Sequence, residues 1–218
     1  MAKDPDELLA EWRVILDRVR LDLQRVHLNR LLWQRVNAAM QQQAPATAPA
    51  TWMNHYAQIY AQAQAMAIRR LVRASGAALS LGQLLDRLMQ RPDVVTPERV
   101  RPETELVTGL MLVEERRWVN GWCSEDGHLD PDRPKADRHQ LYDETEAVVE
   151  WVNTRVAHID PAVPDQRLSF EKVHVTIDHV SEIFKSYAVL LAGSHFVLLP
   201  VIQDDWEIAF ANPLFPGP

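Results

Sequence analysis

Eight histidines and one cysteine are the side chains in this sequence best able to move protons, bind metal or attack a substrate. His139 and Asp143 stand four residues apart, as do His174 and Asp178. On helices each pair shares a face and could chelate with a neighbouring helix, as in bundle metal sites. No glutamate–histidine motif repeats to complete such a site, so no metal or other cofactor is expected. Cys123 has His128 as its nearest sequence candidate for an activating base, but an inert, partly packed thiol is the simpler reading. Ser194–His195 lacks a nucleophile elbow. Arg69, Arg70 and Arg73 could touch phosphate, or could be a solvated helix end where cations suit the dipole.

The elements that position these groups read as helices. Asp4 can cap a first helix, Pro5 suits its first position, and Glu7 completes the capping-box spacing. Leu8, Trp12, Leu16, Val19, Leu23 and Val26 follow at helical spacing, and Trp33, Val36 and Met40 can extend the stripe. Residues 41–50 hold two prolines and no large apolar group, which predicts a flexible connector. A second helix is expected from about Thr51 to Ala74. Ser80 and Gln83 fit a capping box for a short helix ending at Arg91–Pro92. Thr96–Pro97 opens a turn or short helix, and Pro102 begins a helix running to about Trp118. Residues 120–137 form the least regular internal stretch and predict a long loop. A helix resumes near Arg138 and stops near His158, because Pro161 disfavours helical geometry at Asp160. Ser169 caps a last long helix, ended by Gly193. The tail, 194–218, carries two β-prone runs that could form a hairpin or lie extended over the helices. The expected fold is thus a single all-α, multi-helix domain over 1–218.

Composition narrows the function classes. The formal net charge is −7, which argues against strong non-specific nucleic-acid binding without excluding a local basic site. A lone cysteine builds no internal disulfide framework. No apolar run approaches a membrane span and no signal peptide is visible, so a cytoplasmic protein without a membrane partner is expected.

The segment Val152–Pro161, VNTRVAHIDP, resembles the signature turn of the HEPN superfamily, in which an arginine and a polar residue precede a histidine at a helix end. The stretch from Phe170 to Gly193, leading to Pro200 and Asp205–Trp206, is similar to the abortive-infection U-type branch of that superfamily. The resemblance spans about residues 138–210. It implies a helical bundle that often dimerises and, in many relatives, a metal-independent ribonuclease of toxin–antitoxin or phage-defence systems. The implied site is His158 with Arg155 and Asn153, arranged across a cleft between two subunits. Histidine would move protons at a 2′-hydroxyl or 5′-oxygen, and arginine's planar fork would steady the phosphate. The family arginine would fall at Asn153, Val152 or Trp151, none of which supplies a guanidinium. Arg155 is three residues before His158, which puts both on one helical face. Two functions stand open on this basis. One is a homodimer that binds or cleaves RNA, with a possible antitoxin partner. The other is a catalytically inactive scaffold that binds a protein partner or small ligand.

Overall fold

The structure, a computed structural model, describes residues 3–42, 50–73, 79–100, 121–156 and 168–199. Within them the chain is α-helical, with five helices: α1 (Pro5–Gln42), α2 (Ala50–Val72), α3 (Leu81–Gln90), α4 (Asp132–Trp151) and α5 (Phe170–Ala192). The all-α expectation therefore holds at the level of class. Among the described residues there is no strand, only a bridge between Cys123 and Leu129. The expected connector, the helix after Pro102 and most of the C-terminal tail lie outside the described residues.

α1 begins as its sequence dictates. The Asp4 carboxylate accepts from the Asp6 backbone N–H at 2.8 Å, and the Asp4 carbonyl accepts from Leu8. These bonds satisfy donors that a bare helix end would leave unpaired. Its 38 residues span roughly 57 Å at the α-helical rise. Trp12, Ile15, Leu16, Val19, Leu23 and Val26 are buried along one face, and Trp33, Val36 and Met40 continue the burial. α1 packs against α5, α2 and α3, while α4 packs against α2, α3 and α5. The core lies where these faces meet, and it includes Leu81, Leu84, Leu85, Leu88, Leu141, Val148, Val180, Phe184 and Tyr187.

α2 and α3 meet end to side. Ser80 caps α3 by accepting from the Gln83 N–H at 3.2 Å, and its own hydroxyl donates to the Arg73 carbonyl at 2.6 Å. One side chain thus satisfies both helix ends. Gly82 permits this closeness, since a Cβ there would stand 2.0 Å from the Val72 carbonyl oxygen.

The stretch expected to be a long loop is shorter and better ordered than its composition predicts. Asp130 N–H donates to Trp122 O and Ser124 N–H to His128 O, closing a tight turn with Gly127 at φ 78°. Leu129 N–H ties that turn to Val95 O. α4 then starts at Asp132, ahead of the expected Arg138. Pro134 does not prevent this, because first-turn residues have no intrahelical N–H partner to lose. Trp122 packs edge-on against Tyr187, and the Arg133 guanidinium lies over the Trp122 ring.

α5 matches its expected limits. Ser169 accepts from Lys172 N–H, and Gly193 ends the helix in the left-handed region at φ 59°. Beyond it, residues 194–199 form neither helix nor strand, and part of the segment packs on the helices. Phe196 lies against Phe184 and under Arg20, and Gln24 on α1 donates to the Val197 carbonyl.

Candidate functional site

α4 does not end as a regular α-helix. Residues Val152–Val156 form a π-helical turn. The Val152 N–H divides its bond between the Val148 and Val149 carbonyls, and the Thr154 hydroxyl donates to the Glu150 carbonyl at 2.9 Å. π-turns inside helices occur mostly as single turns and frequently at functional sites. The i to i+5 bonding changes where each side chain points. His158 itself lies outside the described residues.

A groove of about 650 Å³ opens between α2 and α4 and reaches this π-turn. Arg69 on α2 and Arg73, one residue past its end, form one wall. Asp143, Glu146 and Glu150 on α4 form the other, and Asn153 closes the end. Val72, Val149, Tyr142 and Thr145 supply its floor and sides. Of the three expected site residues, the structure brings Asn153 into this groove. Arg155 is half-buried on the same turn but is not among the lining residues.

The groove's charges face each other without joining. Among the described residues no ion pair links Arg69 or Arg73 to the carboxylates opposite. Asp143 is held instead by His139 Nδ1 at 2.7 Å, on the solvent side. The three arginines thus divide: Arg69 and Arg73 line the groove, and Arg70 is exposed outside it. The carboxylate row was the part that sequence reasoning missed. Its signal was present in the 143, 146, 150 spacing, which puts three acids on one helical face. Only knowledge that α2 lies opposite turns that face into a binding wall.

The other candidates are occupied elsewhere. His174 Nε2 meets the Tyr60 hydroxyl at 2.7 Å, and Asp178 accepts from Arg30 at 2.7 Å, so the pair forms no chelate. No metal-binding cluster of histidine, cysteine, aspartate or glutamate occurs among the described residues. Burial, with nearby Glu98 and Asp126, pushes the Cys123 thiol up, which leaves it a poor nucleophile. Ser194 donates to the Ala192 carbonyl. No described helix is long and apolar enough to cross a membrane.

The described residues thus form an all-α fold with a groove lined by charges of both signs. No family model, curated protein or solved structure matches the chain.

Proposed function

We propose that this protein is a binding module whose α2–α4 groove takes a ligand or partner segment bearing both a cation and an anion. One observation carries the reading: Arg69 and Arg73 face Glu146 and Glu150 across an open groove with no ion pair between the walls. A bridging ligand with one charge of each sign would satisfy both walls at once. The volume lies within the range usual for small-molecule sites, roughly 300–1,000 Å³. Three carboxylates against two guanidiniums make the lining slightly acidic, as is the whole chain. That balance suits a zwitterion or a mixed-charge peptide better than a polyanion. This corresponds to the inactive-scaffold alternative of the sequence reading. The test is amide NMR of the full chain titrated with a lysine–glutamate dipeptide. Shifts confined to α2, α4 and the π-turn, and lost in Glu146→Gln/Glu150→Gln, support the reading. Unchanged spectra at saturating dipeptide, or shifts that survive the substitutions, overturn it.

A second reading follows from the HEPN resemblance: a homodimer that binds or cleaves RNA around His158, with Arg155 and Asn153 beside it. Asn153 meeting two arginines in one groove favours it, because these are the groups that grip a phosphate. Total RNA incubated with the protein and a chelator should then be cut to 2′,3′-cyclic phosphate ends, and His158→Ala should abolish the cutting. Intact RNA would remove this reading, and dipeptide binding without cutting would leave the first one standing.

A further inference from the structure

A partly buried polar cluster, separate from the groove, joins three helices. His27 and Arg30 come from α1, Tyr60 and Gln64 from α2, and His174, Asp178 and Ser181 from α5. Its hydrogen bonds fix the proton on each imidazole. The Ser181 hydroxyl donates to the Ile177 carbonyl at 2.7 Å, so its oxygen accepts from His27 Nε2–H at 2.8 Å. His27 Nδ1 must then be the acceptor for Arg30, 3.2 Å away, since a guanidinium can only donate. Gln64 donates to the Val26 carbonyl and to the Tyr60 oxygen. Tyr60, whose phenol burial keeps protonated, gives its hydrogen to His174 Nε2. Both imidazoles therefore serve as acceptors in their neutral form, on either side of Arg30.

We propose that His27, Arg30, Tyr60 and His174 form an acid-released latch that fastens the second half of α1 and the first half of α2 to the start of α5. A proton on either ring occupies the nitrogen that accepts the latch bond. It also sets a second cation beside Arg30, which already donates to the His174 carbonyl and to Asp178. The charged groups facing the cluster leave that cation poorly compensated. Among the described residues Asp178 is the one carboxylate acting on both rings, and it is committed to Arg30; Lys185 on α5 adds further positive charge near His27. Tyr56 on α2 faces Tyr60 and stays protonated through burial. Glu144 on α4 is engaged with His179 and Lys172 rather than with either latch ring. Burial first, and Arg30 second, hold both imidazoles below the usual histidine range. A histidine so depressed gives stability that is complete above its unfolded pKa, about 6.5, and is lost as pH falls through the folded value. Release would free the aromatic group that sits on the latch, where Trp33 stacks on Tyr60 at 4.7 Å and packs against Phe170 at 5.1 Å.

Hydrogen exchange of the full chain at about pH 7.5 and about pH 5, corrected for intrinsic rates, reads the latch directly. Protection across Trp52–Tyr60 and Phe170–Ser181 should fall by up to about tenfold per pH unit for each imidazole, with α3 and the start of α4 unchanged. His27→Gln/His174→Gln keeps an acceptor and a donor at each site but cannot titrate, and should flatten that dependence. Equal loss of protection in all helices, or the same loss in the double variant, overturns the proposal. Should the double variant not fold, histidine ring NMR of the native chain decides. Rings assigned to His27 and His174 should titrate below the unperturbed histidine value of about 6.5, and titration at or above it overturns the latch.

Discussion

Replacing Gly82 by alanine sets two well-understood effects against each other, and the geometry decides the sign. Alanine favours a helix over glycine by about 0.8–1 kcal/mol, so on propensity alone the substitution stabilises. The added Cβ, however, would lie 2.0 Å from the Val72 carbonyl oxygen and 3.0 Å from its carbon, with Tyr142 Oη at 3.5 Å. The oxygen is backbone, so no side-chain rotation relieves the overlap. α3 must move away from α2 by about an ångström, or the end of α2 must unwind. Either change disturbs the Ser80 bond to Arg73 O and the buried packing of Leu81, Leu84 and Leu85. Overpacking of this kind costs about 1–3 kcal/mol, and losing a hydrogen bond about 1 kcal/mol more. Subtracting the propensity gain leaves a net destabilisation of about 1–3 kcal/mol. Urea unfolding of the two proteins, followed by far-ultraviolet circular dichroism, measures it. A variant as stable as the parent, or more so, would refute the close approach of α2 and α3. Val72 and Tyr142 also line the groove, so dipeptide binding should weaken together with stability.

Ser169→Ala should cost about 1 kcal/mol in the same assay, because it removes the side chain that accepts from Lys172 N–H at the start of α5. Tyr187→Phe should cost about 1.5–3 kcal/mol, since the buried phenol donates to the Asp137 carboxylate at 2.7 Å; a change within about 0.5 kcal/mol, that of a neutral surface substitution, would mean that water replaces it freely. Arg138→Met should be milder than either. Arg138 pairs with Asp86 and lies over the Tyr142 ring at 4.7 Å, but the pair is partly exposed and methionine retains the apolar contact.

Helix existence was legible wherever local chemistry agreed with the apolar period. Asp4–Pro5, Ser80, Ser169 and Gly193 each mark an end that the structure keeps within a residue or two. The start of α4 was not legible, because the two prolines and the acids of 130–134 read equally well as loop or first turn. What decides is tertiary: Leu129 buried against the core and bonded to Val95 sets where the chain turns. The π-turn was invisible for a related reason, since VNTRV carries an ordinary helical composition. The groove was half legible. Its arginines and Asn153 stood out as charged or polar groups, whereas its acidic wall looked like the solvated face of α4 until α2 was placed opposite. Of the two latch histidines, His174 drew only a metal reading, which Arg30 and Tyr60 pre-empt, and His27 drew none.

The pairing of α1 with α5 has a consequence for how the chain is made. Arg13 donates to the carbonyl of Leu191, 178 residues downstream, and Arg30 to that of His174, 144 residues downstream. α1 leaves the ribosome before α5 and waits for that partner until the residues between them have followed. At about 5–20 residues per second that interval is on the order of ten seconds or more. Through it, the part of the α1 stripe that α5 will cover stays open to other nascent chains and to chaperones. Moving α5 ahead of α1 by circular permutation would shorten the wait without altering a single native contact between them.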